Sequence, residues 1–333
     1  MKKAESKTGG LTLKIVVLLI IGFLVEFFIR ERYNVILSYS IIIALVSIGM
    51  FYYFWRYGFF NFLLVFLVSV GFFISLDVSF NFGLLTVFLI SFLISIIFGL
   101  VYNKSESRHN YALFLLIAFV LIWVVLSFNT KYPDDWILEN YLTVPFVVLL
   151  IIVSRWFKLS KTSYSLIFTF MFLHIVGAHY TYSEVPFGYW LQHFFNLDRN
   201  QYDRIVHFSF GFLLAYPVRE VFVRIGNYKG IWALFAPIIF VFGLSSIYEL
   251  IEWGAAVKFG GDLGIAYLGT QGDIWDAQKD MFVAGVGSII AMFVTFSTIM
   301  SFRAKEYWVE LKGSFKVRRG ELGEVAIDKM KRK

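Results

Sequence analysis

The amino-acid sequence predicts an all-α fold: a polytopic membrane helical bundle of about ten transmembrane helices, with both termini in the cytoplasm. Three observations predict it. Of the 333 residues, 59% are hydrophobic and only 16% are charged, whereas soluble domains carry about 25% charged residues. The apolar residues recur in runs close to the roughly 20 residues that span a bilayer. Lys and Arg are distributed unevenly between alternate connections, as in membrane proteins.

The first four predicted spans consist almost entirely of Phe, Leu, Ile and Val, and short connections join them. Six further spans follow with longer connections. Because lipid cannot hydrogen-bond a free backbone group, each span is expected to be helical. In chain order the ten spans are Ile15–Ile29, Val35–Trp55, Phe59–Ser75, Val78–Tyr102, Tyr111–Phe128, Tyr141–Phe157, Ser163–Thr181, Ile205–Val223, Ile231–Tyr248 and Met281–Phe302.

The orientation follows from the basic residues. Of the 30 Lys and Arg residues, 23 lie in the N-terminal segment, the even-numbered connections and the C-terminal tail, and seven lie in the odd-numbered connections. Basic residues mark the cytoplasmic side, so both termini are expected there, in a multi-pass protein of the cytoplasmic (inner) membrane. The lipid bilayer is the expected partner. Because the net charge of +7 is explained by this asymmetry, it gives no reason to propose a nucleic acid as partner.

The polarity of the connections predicts three regions. Residues 1–102 form a hydrophobic extension of four helices, residues 103–302 a six-helix membrane domain, and residues 303–333 a basic cytoplasmic tail. The long acidic connections 129–140, 182–204 and 249–280 are expected to carry the function. The chain has no cysteine, which excludes disulfides, thiolate nucleophiles and Cys-ligated metals.

Ionisable residues concentrate at the predicted outer ends of the last four spans. Asp203 and His207 are spaced i, i+4 and share one helix face, and Glu249 and Glu252 are spaced i, i+3. An acid at membrane depth costs roughly 2.5–3.5 kcal/mol, so such groups usually face a cavity or a partner. The remaining members are His179 at the end of the seventh span and three aspartates before the tenth, Asp273, Asp276 and Asp280.

These residue types predict either a divalent-metal site or an acid/base site. One nitrogen and several carboxylates suit Zn, Mn or Mg better than copper, and crowded carboxyl groups also suit general acid/base catalysis. The candidate metal ligands are His207, Asp276 and Asp280, with Asp273 and His179 as further candidates. The candidate catalytic residues are Glu249, Glu252 and Asp203. In the structural alternative, Arg204, Lys279 and Arg199 pair with the acids and only fix the helix ends.

We expect Asp203, His207, Glu249, Asp276 and Asp280 to converge on one pocket. Packed helices lie about 8–10 Å apart, so side chains from three of them can meet. Arg204, by contrast, projects about 100° away from Asp203 on an ideal helix, and is therefore expected to be the less natural partner of the acids.

Four segments resemble the YjdF family, a group of uncharacterised inner-membrane proteins built on a domain of unknown function. The segments are YPDDWILEN (132–140), HYTYSEVPFGYW (179–190), NQYDRIVHFSFGF (200–212) and YELIEWGAAVKFGGDLGIAYLGTQGDIWDAQKDM (248–281). The resemblance covers about residues 111–302 and implies a membrane architecture rather than a reaction.

A weaker similarity is to the VanZ-like family. Its motif is matched at Asp203, Arg204, His207 and Phe208, and its later acids are matched at Glu249 and Asp276. Glu252 and Asp280 stand where that family often has Gln and Asn.

Two functional hypotheses and one structural hypothesis remain at this point. In the first, the chain is an enzyme acting on a lipid-linked or envelope small-molecule substrate at the outer face. In the second, the acids serve a proton- or cation-coupled transporter. In the third, the chain is a non-catalytic membrane scaffold. The enzyme is favoured because spans seven to ten hold no acid near their middles, where a proton path normally needs one.

Overall fold

A computed structural model describes residues 108–317 and 323–332. The first four predicted spans and the predicted boundary at residue 102 lie outside these residues. The contacts divide the chain into two units, Met1–Tyr202 and Asp203–Lys333, a division that falls inside the predicted domain 103–302. We refer to them as unit 1 and unit 2 and describe each by itself.

The described part of unit 1 is helical. Helix α3 packs against both α1 and α2 and is the most deeply buried of the three. Ser160 caps α3 by accepting a hydrogen bond from the Ser163 backbone N–H at 3.2 Å. The elements are α1 (Arg108–Leu126), α2 (Pro133–Val153), α3 (Lys161–Tyr180), the 3₁₀ helix η1 (Tyr182–Glu184) and α4 (Pro186–Phe195).

Unit 2 is also helical in its described residues. Its longest helix, α8, bends at Arg303, where φ is −140° and ψ is 39°. Beyond this bend Tyr307 is buried and its hydroxyl donates a hydrogen bond to the Gly230 carbonyl at 3.3 Å. The elements are α5 (Tyr202–Arg224, whose first residue belongs to unit 1), α6 (Trp232–Phe259), α7 (Gly261–Leu268), α8 (Asp276–Lys312), the 3₁₀ helix η2 (Gly313–Phe315) and α9 (Glu324–Lys331).

The predicted all-α membrane architecture is confirmed for this part of the chain. Residues 108–317 and 323–332 contain no strand, and six of their helices, α1, α2, α3, α5, α6 and α8, are long and apolar enough to cross a membrane. The total of ten spans and the cytoplasmic position of both termini stay predictions.

Three of the six predicted spans differ from the observed helices by more than three residues. The helix α2 begins at Pro133, eight residues before the predicted start at Tyr141, and ends at Val153, four residues before the predicted end. The helix α6 continues to Phe259, eleven residues past the predicted end at Tyr248. Likewise, α8 begins five residues before Met281 and ends at Lys312, ten residues past the predicted end. Hydropathy marks the stretch that sits in hydrocarbon, whereas a helix can continue through polar and interfacial residues, so the spans were predicted too short. The other three spans agree within three residues.

One face of α6 carries both the core and the acids. Its buried residues recur almost every fourth position, which is one side of a helix, first as apolar and then as polar residues: Ala233, Pro237, Val241, Ser245, Glu249 and Glu252. The same spacing on α8 runs from the aspartates into small residues: Asp276, Asp280, Ala284, Ser288 and Met292. The apolar half packs with α5 in a cluster of Ala215, Val241, Ala291 and Met292. Because the acids lie on the same helix faces as the packed apolar residues, core packing brings the acids of α6 and α8 close together.

Glycines let α5 and α8 approach to backbone contact. A Cβ added at Gly211 of α5 would overlap the Ala284 carbonyl oxygen and lie 2.7 Å from its carbonyl carbon, and one added at Gly287 would overlap the Phe208 carbonyl oxygen. Small residues at such crossings are typical of membrane helices. Gly211 and Ala284 each follow a predicted site residue, His207 and Asp280, by four positions, so this contact lies one turn from the site.

We expect Gly211→Ala to lower the free energy of unfolding by about 1–3 kcal/mol, because the added methyl group overpacks a backbone contact. Gly243→Ala on α6 is the matched control. Apart from its own stretch of helix, no atom of the described residues lies within 4 Å of its added Cβ, and alanine favours helix over glycine by up to about 1 kcal/mol. The midpoints of thermal unfolding in detergent measure the stability of the two variants. Equal midpoints for the two variants would contradict the close contact.

Candidate functional site

A histidine lies between two carboxylates from different helices of unit 2. His207 is in the second turn of α5, and its Nε2 lies 3.5 Å from Oδ1 of Asp203 on the same helix and 3.5 Å from Oε1 of Glu249 on α6. All three residues are buried. Both separations exceed the usual 2.7–3.2 Å of an N–H···O hydrogen bond. The imidazole therefore lies near both carboxylates at more than ordinary hydrogen-bond distance. The Tyr248 ring meets the imidazole edge-on, at 5.7 Å.

A third helix supplies another carboxylate to the same place. One ligand atom each of Asp203, His207 and Asp280 lies within 4.8 Å of the other two, so these residues could hold a metal ion. Asp280, in the second turn of α8, is only 2% exposed. Its Oδ1 and the Oε1 of Glu249 are buried without a hydrogen-bond partner in the described part of the chain. These two buried carboxylate oxygens can accept a hydrogen bond or bind a cation.

Arg204 compensates the aspartates of α8. Its guanidinium donates to the Asp276 backbone carbonyl at 2.8 Å and to Asp276 Oδ1 at 2.5 Å. It also pairs with Oδ2 of Asp280, and with Oδ2 of Asp273 at 3.2 Å. The expectation that Arg204 is a poor partner was wrong: the side chain departs from the Asp203 face but is long enough to reach α8. Asp276 is thus held by Arg204.

Asp273 lies at the edge of the cluster, before α8 begins. Lys279 donates to it at 2.6 Å, and the Trp275 backbone N–H at 3.1 Å. These hydrogen bonds, that from Lys279 first, hold the pKa of Asp273 below its ordinary value, so it is ionised at neutral pH. Arg204 and Lys279 thus pair with acids as in the structural alternative. The third basic residue proposed there, Arg199, lies in unit 1 and donates to the Asn200 carbonyl at 3.5 Å.

The two glutamates of α6 lie together. Glu252 is buried one turn beyond Glu249 on the same face of α6. Unit 2 therefore holds six acids near two basic side chains: Asp203, Glu249, Glu252, Asp273, Asp276 and Asp280 near Arg204 and Lys279.

His179 belongs to unit 1 and has a different environment. Its Nδ1 is hydrogen-bonded to the Leu126 carbonyl at 2.7 Å, and its ring meets that of Tyr180 edge-on. The second histidine of α3, His174, is buried and forms hydrogen bonds to Thr143 at 2.7 Å and to Tyr182 at 2.5 Å.

Sequence reasoning missed a second buried polar cluster, in unit 1. Asp135, Glu139 and Thr143 are spaced i, i+4 and i+8 on α2 and are all buried. Thr181 donates a hydrogen bond to Oδ2 of Asp135, whose Oδ1 has no partner among the described residues. Thr143 reaches His174. We call Asp135, Glu139 and Thr143 the α2 polar ladder. The prediction had placed 129–140 in a connection, although a proline followed by two acids is a helix-start signal.

A family model described as "Predicted membrane protein (DUF2238)" matches residues 111–300, more than half of the chain. Inner membrane protein YjdF of Escherichia coli (strain K12) is 36% identical over 176 residues, which are 53% of this chain and 83% of that protein. No solved structure matches significantly.

These matches confirm the predicted family and the predicted location as a multi-pass protein of the cell membrane, while the similarity to the VanZ-like family stays a prediction. All the site residues of unit 2 lie within the matched range. The chain therefore belongs to the YjdF family of membrane proteins, which is described by the domain of unknown function DUF2238.

Proposed function

We propose that this chain is a membrane-embedded enzyme that uses a divalent cation, held by Asp203, His207 and Asp280, to act on a lipid-linked or envelope substrate. One observation carries the proposal: the separation of 3.5 Å between His207 Nε2 and Asp203 Oδ1. Two ligands of a tetrahedral zinc ion, with bonds of about 2.0–2.1 Å, lie about 3.3 Å apart. The separation is therefore close to that of two ligands of one ion.

Charge supports the same proposal. Arg204 and Lys279 neutralise part of the acidic cluster, and buried carboxylates require further compensation. A divalent cation would supply it and would give the orphaned Oδ1 of Asp280 a partner. The donor set of one imidazole and two carboxylates is appropriate for Zn or Mn, and Mg would be bound through fewer protein ligands and more water.

The surrounding residues have separate roles in this proposal. A bound cation would polarise the substrate or lower the pKa of a water molecule. Glu249 is placed to accept a proton from that water, because its Oε1 lies 3.5 Å from the imidazole and has no hydrogen-bond partner in the described residues. Glu252, buried one turn further along the same face of α6, is the second carboxyl group available for the proton transfer. Arg204 positions Asp280 and Asp276 without touching substrate.

The α2 polar ladder supports a second candidate function, proton- or cation-coupled transport. It reaches from the third to the eleventh residue of the 21-residue α2, about 12 Å at 1.5 Å per residue. Buried acids at such a depth often mark ion pathways. A net cation flux into sealed proteoliposomes would favour the transporter over the enzyme.

Metal titration of the full chain tests the proposed enzyme. Protein stripped with a chelator and dialysed is expected to bind one equivalent of Zn²⁺ or Mn²⁺. The metal-loaded wild type should convert a component of an envelope lipid extract, and mass spectrometry follows this conversion. Glu249→Gln should still bind the ion but should no longer carry out the conversion. The matched control, Glu324→Gln on the exposed face of α9, should keep both. Conversion that persists in chelated protein would overturn the metal requirement, and no conversion by loaded wild type would overturn the enzyme.

A further inference from the structure

Unit 1 contains an apolar cavity that no step of the proposed function uses. It measures about 230 Å³ and is lined by one end of each of three helices: the N-terminal half of α1 from His109 to Phe119, the end of α2 from Val147 to Ser154, and the start of α3 from Tyr164 to Met171. Most of its lining is aliphatic or aromatic. Its polar residues, His109, Ser154 and Tyr164, all lie at the same end.

The depth of this cavity matches one leaflet of a bilayer. The ten steps from His109 to Phe119 rise about 15 Å along α1, which is half of the roughly 30 Å hydrocarbon core. An apolar cavity of that depth, with its polar residues at the helix ends, has the shape and polarity of a site for an acyl chain that enters from the membrane surface.

The charge at the polar end indicates the headgroup. Arg108 precedes the lining residue His109, and Arg155 follows the lining residue Ser154. Lys158 precedes α3, and Lys161 is its first residue. No acid occurs in residues 108–133 or 154–183. Among the described residues, those at this end are basic only, while Glu106 precedes Arg108 in the sequence. This is the face that the distribution of Lys and Arg predicts to be cytoplasmic. Basic pockets between transmembrane helices on that side bind anionic lipid headgroups.

An aromatic residue marks the membrane surface at the same end. Trp156 is 78% exposed and lies between Arg155 and Lys158. Exposed tryptophans are enriched where a helix bundle meets the headgroup region. The basic residues are therefore at headgroup level, and the cavity runs from there towards the bilayer centre.

We propose that this cavity binds one anionic phospholipid of the cytoplasmic leaflet, with an acyl chain between α1, α2 and α3 and the phosphate among the basic residues at its mouth. The site is independent of the proposed metal site, and it takes a structural or regulatory lipid.

Photo-crosslinking in the full chain tests this. p-Benzoyl-phenylalanine replaces Leu116, which lines the cavity, or Leu121, a control on the same helix that is 63% exposed and does not line it. Adducts formed in cell membranes are identified by mass spectrometry. At position 116 we expect phosphatidylglycerol or cardiolipin to be enriched about tenfold over phosphatidylethanolamine, relative to position 121.

A charge variant checks the headgroup separately. Arg108→Gln combined with Arg155→Gln alters exposed residues, so folding should be retained while the enrichment at position 116 disappears. An enrichment that survives this variant would overturn the assignment of the phosphate to these residues. The same lipid composition at positions 116 and 121 would overturn the site, as would an adduct of position 116 with a peptide from residues 1–107, since that segment would then fill the cavity.

Discussion

Replacement of His207 by alanine is expected to abolish stoichiometric binding of Zn²⁺ or Mn²⁺. In the proposed site His207 supplies the single nitrogen ligand, and its Nε2 is placed between the carboxylates of Asp203 and Glu249. Loss of a residue that only supports a ligand already costs about 10–100-fold in metal affinity. Loss of the ligand itself should therefore cost at least about 100-fold. Equilibrium dialysis followed by elemental analysis measures the change.

The matched control is His193→Ala, which removes an exposed histidine on α4 and should leave both metal content and affinity as in the wild type. Thermal unfolding of the chelated proteins shows whether the fold is retained. A His207→Ala protein that unfolds normally and still binds one equivalent with unchanged affinity would remove His207 from the proposed ligands.

Arg204→Ala is expected to lower the free energy of unfolding by about 3–5 kcal/mol, because it leaves buried carboxylates without their cationic partner. The guanidinium contacts Asp273, Asp276 and Asp280, and its side chain is only 12% exposed. Arg204→Lys should recover part of the loss. The recovery should be partial because the lysine ammonium is a single point charge, whereas the planar arginine guanidinium donates to several acceptors at once. Denaturant unfolding in a constant detergent measures both variants.

Arg224→Ala provides the control on the same helix. Arg224 pairs with Glu220 at 2.5 Å, but its side chain is 38% exposed, and exposed ion pairs contribute about 0–1 kcal/mol. If Arg204→Ala cost no more than Arg224→Ala, the aspartates of α8 would have to be compensated by another group, and Arg204 would not be the residue that positions them.

Sequence reasoning predicted the helical fold and the shared faces of several candidate site residues for a simple physical reason. The spacing of Asp203 and His207 places both side chains on one face of any α-helix, and Asp276 and Asp280 have the same spacing on α8. Such local patterns survive into the structure because helix geometry alone determines them. The same holds for Glu249 and Glu252, which share the buried face of α6.

Features that depend on more than one helix were predicted less well. The role of Arg204 could not be read from its direction on an ideal helix, because the length of the side chain and the position of α8 decide which acids it reaches. The α2 polar ladder was missed because Asp135 and Glu139 were placed in a connection. Pro133 and the acids after it mark the true start of α2, but the hydropathy of this stretch is too low to mark it as part of a span.

The backbone contact between Gly211 and Ala284 also bears on ion selectivity. Because no side chain separates the two helices there, the spacing between α5 and α8 has little compliance one turn away from His207 and Asp280. A ligand frame that cannot expand favours ions of small radius and low coordination number. Ca²⁺ requires six to eight oxygen ligands at 2.3–2.6 Å and a flexible cage, so in the proposed metal site the stiffness of this helix pair would select against calcium.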